Sequence, residues 1–73
     1  MNQDLKPGLR AKVVSLGGDK SFRRTAMGFG LMPGIEFEVV RFAPMGDPVE
    51  ISVNGLTLGL RRRELASLCY ETV

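Results

Sequence analysis

The stretch Gly28-Phe29-Gly30-Leu31-Met32-Pro33-Gly34-Ile35-Glu36-Phe37-Glu38-Val39-Val40-Arg41-Phe42-Ala43-Pro44-Met45-Gly46-Asp47-Pro48 decides the fold of this chain. It reads as the end of a short helix, a sharp turn, a strand and a loop bracketed by prolines. Gly30 fits the left-handed position just past a helix C-terminus. Leu31 is the apolar residue that follows such an end, and Pro33 blocks continuation. Pro33 and Gly34 suit the middle of a type II turn, whose second central position needs a positive φ that glycine adopts at little cost. Ile35, Phe37 and Val39 then alternate with Glu36 and Glu38, the period of a strand with one dry face and one wet face. Phe42 falls out of that phase, so a bulge is expected around Val40-Arg41.

Working back toward the N-terminus, Leu5-Lys6-Pro7-Gly8 reads as an opening turn with proline at its second position and glycine after it. Leu9 to Leu16 is strand-like. Leu9, Ala11 and Val13 share one face and Val14 and Leu16 fall on the other, which requires burial on both sides or a bulge. Gly17-Gly18-Asp19 ends the strand, and Asp19 can accept from the free amides of a following helix. That helix is predicted from about Lys20 to Phe29, with Phe22, Ala26 and Phe29 on one stripe, Met27 widening it, and Arg23 and Arg24 toward solvent. Gly28 inside it costs about 1 kcal/mol relative to alanine, which predicts close packing against a neighbouring backbone.

Toward the C-terminus, Val49, Ile51 and Val53 repeat the strand period, with Glu50 and Ser52 outward. Asn54-Gly55 is the strongest short hairpin signal in the chain. Leu56, Leu58 and Leu60 continue the same period in the next strand. Residues 61–66 suit one helical or 3₁₀ turn, and 68–73 a closing strand. The result is one domain spanning residues 1–73. It is mainly β, a small partly closed barrel of about five strands with a short helical insertion between strands 1 and 2. Closure removes edge strands that would otherwise aggregate.

Composition narrows the chemistry. A chain of 73 residues supports one modest core. Its four phenylalanines and one tyrosine must mostly enter that core, with Tyr70 the plausible exposed ring. No apolar run approaches the roughly 18 residues that span a bilayer. Residues 1–8 lack the pattern of a secretory signal, and Cys69 has no second cysteine to pair with. The expectation is a cytoplasmic protein, not membrane-inserted, with Cys69 a small core residue.

With no histidine and one cysteine, a structural zinc site or a two-histidine iron site cannot be assembled within one chain. No cofactor is expected. Glu36 and Glu38, with Glu50 opposite them across the hairpin, could hold a divalent ion such as ferrous iron only weakly; solvated surface charge is the plainer reading. The serines lack a histidine to activate them, which argues against an enzyme. The net charge of +2 is too small to imply nucleic-acid binding. Arg61-Arg62-Arg63 and the Lys20, Arg23, Arg24 group could still touch a polyanion. In Pro44-Met45-Gly46-Asp47-Pro48 two prolines stiffen a loop around an apolar Met45. That tip either contacts a partner or folds back to fill a gap.

In order along the chain, Arg24 through Gly34, then Ala43-Pro44-Met45-Gly46-Asp47-Pro48, Val49-Glu50-Ile51, the leucine-alternating strand and Arg61-Arg62-Arg63 before Glu64-Leu65-Ala66 resemble the FeoA-type accessory proteins of bacterial ferrous-iron uptake. The resemblance covers nearly the whole chain and implies an SH3-like barrel. It implies a cytoplasmic protein, recruited to the inner face of the membrane, that binds and modulates a ferrous-iron permease of the FeoB type carrying a G-protein domain. Gly30, Pro33, Gly34, Pro44, Gly46, Pro48, Asn54 and Gly55 carry over as structural signatures. Met45, Asp47, Arg61, Arg62 and Arg63 are the expected partner contacts. Gly28 and Phe29 depart from the family pattern and put local helix packing in question. Two alternatives stand beside this reading. One is a small nucleic-acid-binding barrel that uses the arginines. The other is a metal-responsive module related to the C-terminal domain of iron-dependent repressors, in which carboxylates or Cys69 from two chains meet. The sequence does not set the oligomeric state.

Overall fold

In the computed structural model, which describes residues 5–73, five strands form one antiparallel sheet. The order along the chain is β1 (Arg10–Leu16), α1 (Lys20–Gly28), β2 (Glu36–Phe42), β3 (Val49–Val53), β4 (Leu56–Leu60), α2 (Arg62–Leu65) and β5 (Leu68–Thr72). The sheet order is β4-β3-β2-β1-β5. β4 and β5 are not hydrogen-bonded to each other, so the barrel is partly closed and keeps two edges. The expected full removal of edges is corrected to that extent. Residues 1–4 lie outside the described part, so the predicted 1–73 domain is seen from Leu5 onward.

The two phase breaks in the sequence are both bulges. Register shifts between Val13 and Ser15 against β5, and between Val39 and Arg41 against β3. The extra residue in each case, Val14 or Val40, turns outward and is 46% or 43% exposed. Bulging lets β1 keep Ala11 and Val13 in the core without burying its second face.

α1 starts where Asp19 Oδ1 accepts the Phe22 amide at 2.8 Å. It ends in two linked bonds, Gly30 N–H to the Met27 carbonyl at 3.0 Å and Leu31 N–H to the Ala26 carbonyl at 2.9 Å. With Gly30 at φ +94° this is a Schellman ending, and it delivers Leu31 into the core with no exposed surface. The chain then reverses through Pro33 and Gly34, closed by the Ile35 amide on the Met32 carbonyl at 3.0 Å. Gly28 has open space where a side chain would stand, so the expected close backbone packing is absent there. The tight spot is Gly30, where an added Cβ would stand 2.5 Å from Asn54 Nδ2. Helix end and β3–β4 hairpin tip therefore meet.

The core comprises Ala11, Val13, Ala26, Leu31, Phe37, Val39, Val49, Ile51, Val53, Leu65, Leu68 and Tyr70. Tyr70 is buried, contrary to the expectation of an exposed ring. It meets Phe37 edge-on with centroids 5.6 Å apart and planes at 80°, a geometry worth about 0.5–1.5 kcal/mol beyond its burial. Burial pushes its phenol above the ordinary value. Cys69, one residue earlier on the strand, points the other way and is exposed, because alternate residues of a strand face opposite sides. It is not a core residue.

Candidate functional site

The loop over residues 43–48 and the first turn of α2 form one unit. Within the loop, the Gly46 amide donates to the Ala43 carbonyl at 2.7 Å and the Ala43 amide to the Pro48 carbonyl at 3.0 Å. Asp47 reaches across to α2. Its Oδ1 accepts the Arg62 backbone amide at 2.8 Å, and its Oδ2 lies 3.3 Å from Arg61 Nη1. Arg62 answers in the opposite direction, donating from Nε to the Gly46 carbonyl at 2.7 Å and placing its guanidinium 4.8 Å from the centre of the Phe42 ring. Helix amides in the first turn have no partner within their own helix. Asp47 supplies one for Arg62, and Glu64 supplies one for Arg61 N–H at 2.8 Å. The amide bond from Arg62, more than the charge of Arg61, holds the Asp47 carboxyl below the usual carboxylate range.

Met45 stands at the tip of this clamped loop and is 91% exposed. Its side chain fills no gap, which removes the reading in which the loop folds back. Four of the five residues expected at an interface, Met45, Asp47, Arg61 and Arg62, therefore come together. Asp47, Arg61 and Arg62 spend hydrogen-bonding capacity on one another in doing so. Arg63 does not join them. The helix turns it toward a different feature, a groove of about 880 Å³ between α1 and β4.

That groove escaped the sequence reading. Phe22, Ala26 and Phe29 of α1 form one wall, Thr57 to Leu60 of β4 the other, and Arg63, Glu64 and Ser67 close one end. The leucine alternation of β4 was visible in the sequence, but not how far each leucine would be covered. Leu58 and Leu60 are half-buried and Leu56 is 51% exposed. Register explains the alignment: Leu56, Leu58 and Leu60 sit opposite Val53, Ile51 and Val49. The core face continues onto the edge strand with nothing beyond it to complete the cover.

The three carboxylates that could have held an ion weakly do not converge. Glu50 lies opposite Arg41, not Glu36 or Glu38, and takes its guanidinium in two bonds of 3.0 and 3.1 Å. Glu36 faces Arg10 at 3.6 Å. Among the described residues no group of three acidic or cysteine side chains is placed to hold a metal ion. Glu38 faces Ser52, and the bulge at Val40 sets Glu50 against Arg41.

A family model described as FeoA domain matches residues 3–71. The chain is similar in structure to the FeoA protein from Chlorobium tepidum, with a TM-score of 0.89 and 40% identity over 96% of this chain and 67% of that one. It is also similar to iron(II) transport protein A from Clostridium thermocellum, with a TM-score of 0.87 and 33% identity over 94% of this chain and 43% of that one. A FeoA from Stenotrophomonas maltophilia, complexed with zinc and described as a prokaryotic SH3 domain protein, has a TM-score of 0.79 at 22% identity. That alignment covers 93% of this chain and 85% of the other. It speaks for the fold alone, and the fold is SH3-like.

Proposed function

This chain belongs to the FeoA domain family, and from that premise we propose that it is a non-enzymatic accessory protein of ferrous-iron uptake. It acts on the cytoplasmic side, binding and modulating a membrane permease that carries a G-protein domain. No described helix is long and apolar enough to cross a membrane, so on this reading it reaches the membrane through its partner. The observation that carries the proposal is Met45, fully presented on a loop already fixed by Asp47, Arg61 and Arg62. A polarizable apolar tip on a rigid support loses little conformational entropy on docking. The arginines beside it form a charged rim that governs association rate and salt dependence.

A nucleic-acid role finds less support. The buried Tyr70 and Phe37 offer no stacking platform, and Arg61 and Arg62 are committed to the loop.

Capture of the permease's cytosolic domain by the wild-type protein, and its loss with Met45→Ala and Arg62→Glu, is the expected result. Undiminished capture by both variants would remove the loop from the interface.

A further inference from the structure

β4 is an unguarded sheet edge that faces the groove. A two-residue hairpin makes its flanking pair, here Val53 and Leu56, a hydrogen-bonded pair, and such pairs alternate along the ladder. Ile51–Leu58 and Val49–Leu60 are then bonded pairs as well. Thr57 and Gly59 direct their N–H and C=O groups away from β3. No other strand pairs with β4, and among the described residues neither Thr57 nor Gly59 has a backbone bond beyond that ladder. Sheet edges are ordinarily blunted with charge, proline or a covering element. The other edge, β5, carries Glu71; Leu56-Thr57-Leu58-Gly59-Leu60 carries no charge at all.

We propose that an extended segment of a partner protein adds to β4 as a sixth strand, pairing with Thr57 and Gly59 and setting alternate apolar side chains into the α1–β4 groove. The segment carries an acidic residue at the end that meets Arg63. Arg63 is the one cation that lines the groove, and it has no ion pair among the described residues; Lys20, Arg23 and Arg24 of α1 stand outside the lining, and Arg23 donates to the Gly18 carbonyl. The two carboxylates at the groove, Asp19 and Glu64, are each occupied by a backbone amide. A second copy of this chain is a poorer occupant, since its own β4 brings no acid to Arg63. Main-chain pairing supplies affinity in such additions and the alternate side chains supply selectivity. This assignment rests on the binding role proposed above and gives that role a second, separate surface.

The test uses the full chain and a capped nine-residue peptide in which valine alternates with threonine between aspartates at both ends. Nuclear magnetic resonance titration should give saturable shifts at the Thr57 and Gly59 amides and at the Phe22 and Phe29 rings. N-methylating the peptide at alternate backbone positions should weaken binding by about tenfold or more, and replacing its aspartates with lysines should also weaken it. Thr57→Pro removes one of the two edge donors without touching the β3 ladder and should weaken binding by about tenfold while leaving the spectrum dispersed. Equal binding by the N-methylated peptide, shifts confined elsewhere, or no saturable shift at about 1 mM peptide would overturn the proposal. So would a mass doubling of the peptide-free protein with Thr57 and Gly59 protected from exchange, which would assign the edge to a second copy. Capture of the permease domain without peptide binding would sink the groove alone; peptide binding without capture would sink the permease reading alone.

Discussion

One face of β4 meets Pro48, which lies over Gly59, while its opposite face and its free edge line the groove. The loop of residues 43–48 on the first side is polar and tied down: Asp47, Arg61, Arg62 and Gly46 satisfy one another, and one apolar side chain projects. On the second side Phe22, Ala26, Phe29, Leu58 and Leu60 line a concave surface that no described residue fills. A directional network fixes a protrusion with little buried area. A concavity needs a well-packed wall behind it, and here the wall is the core itself. Mutations should therefore behave differently on the two sides, with stability losses concentrated behind the groove.

The largest effect is expected from Leu31→Ala, which empties a fully buried position between α1 and the core. Chemical denaturation should show a loss of about 2–5 kcal/mol. A loss under about 1 kcal/mol would mean the groove wall is not continuous with the core. Next come two glycines at the helix end and the turn that follows it. Gly34→Val places a β-branched residue at φ +94° and should cost roughly 1–3 kcal/mol; an unchanged melting temperature would refute the turn. Gly28→Ala meets open space in a helix and should raise the melting temperature, by up to about 1 kcal/mol of added stability.

On the loop side the effects are smaller and depend on pH. The folded-state carboxyl of Asp47 is held below its unfolded value, so its stabilising contribution is complete above the ordinary aspartate range near 4 and disappears as pH falls through the lower folded value. Melting curves of wild type and Asp47→Asn should differ at neutral pH and converge in acid. Parallel curves down to the lowest pH would show that Asp47 does not hold the loop. Met45→Ala should shift stability least, within about 0.5 kcal/mol, because the side chain touches solvent. A clear drop in melting temperature would show that Met45 packs after all.

How far the sequence could be read follows the same division. Asp19, Gly30, Gly34 and Asn54-Gly55 announced the cap, the helix ending, the turn and the hairpin, because those features depend on local backbone preference. Both bulges showed as breaks in phase, though not which valine would be expelled. Misreadings arose where placement depends on distant partners. Cys69 and Tyr70 exchanged their expected positions, since a strand's two faces are told apart only by what lies across them. Glu50 found Arg41 because the bulge at Val40 set the register across the hairpin. Arg61-Arg62-Arg63 looked like one cluster, yet a helical turn sends Arg63 to the groove and keeps its two neighbours with Asp47.

Local chemistry written in adjacent residues was enough to specify the strands, their reversals, the helix and the family. Which surfaces those elements would share was settled only by folding. The tether between Asp47 and Arg62 spans fifteen residues, and the groove joins α1 to a strand near the other end of the chain. Neither leaves a periodic trace, because side chains far apart in sequence meet only when the sheet's order and twist bring them together.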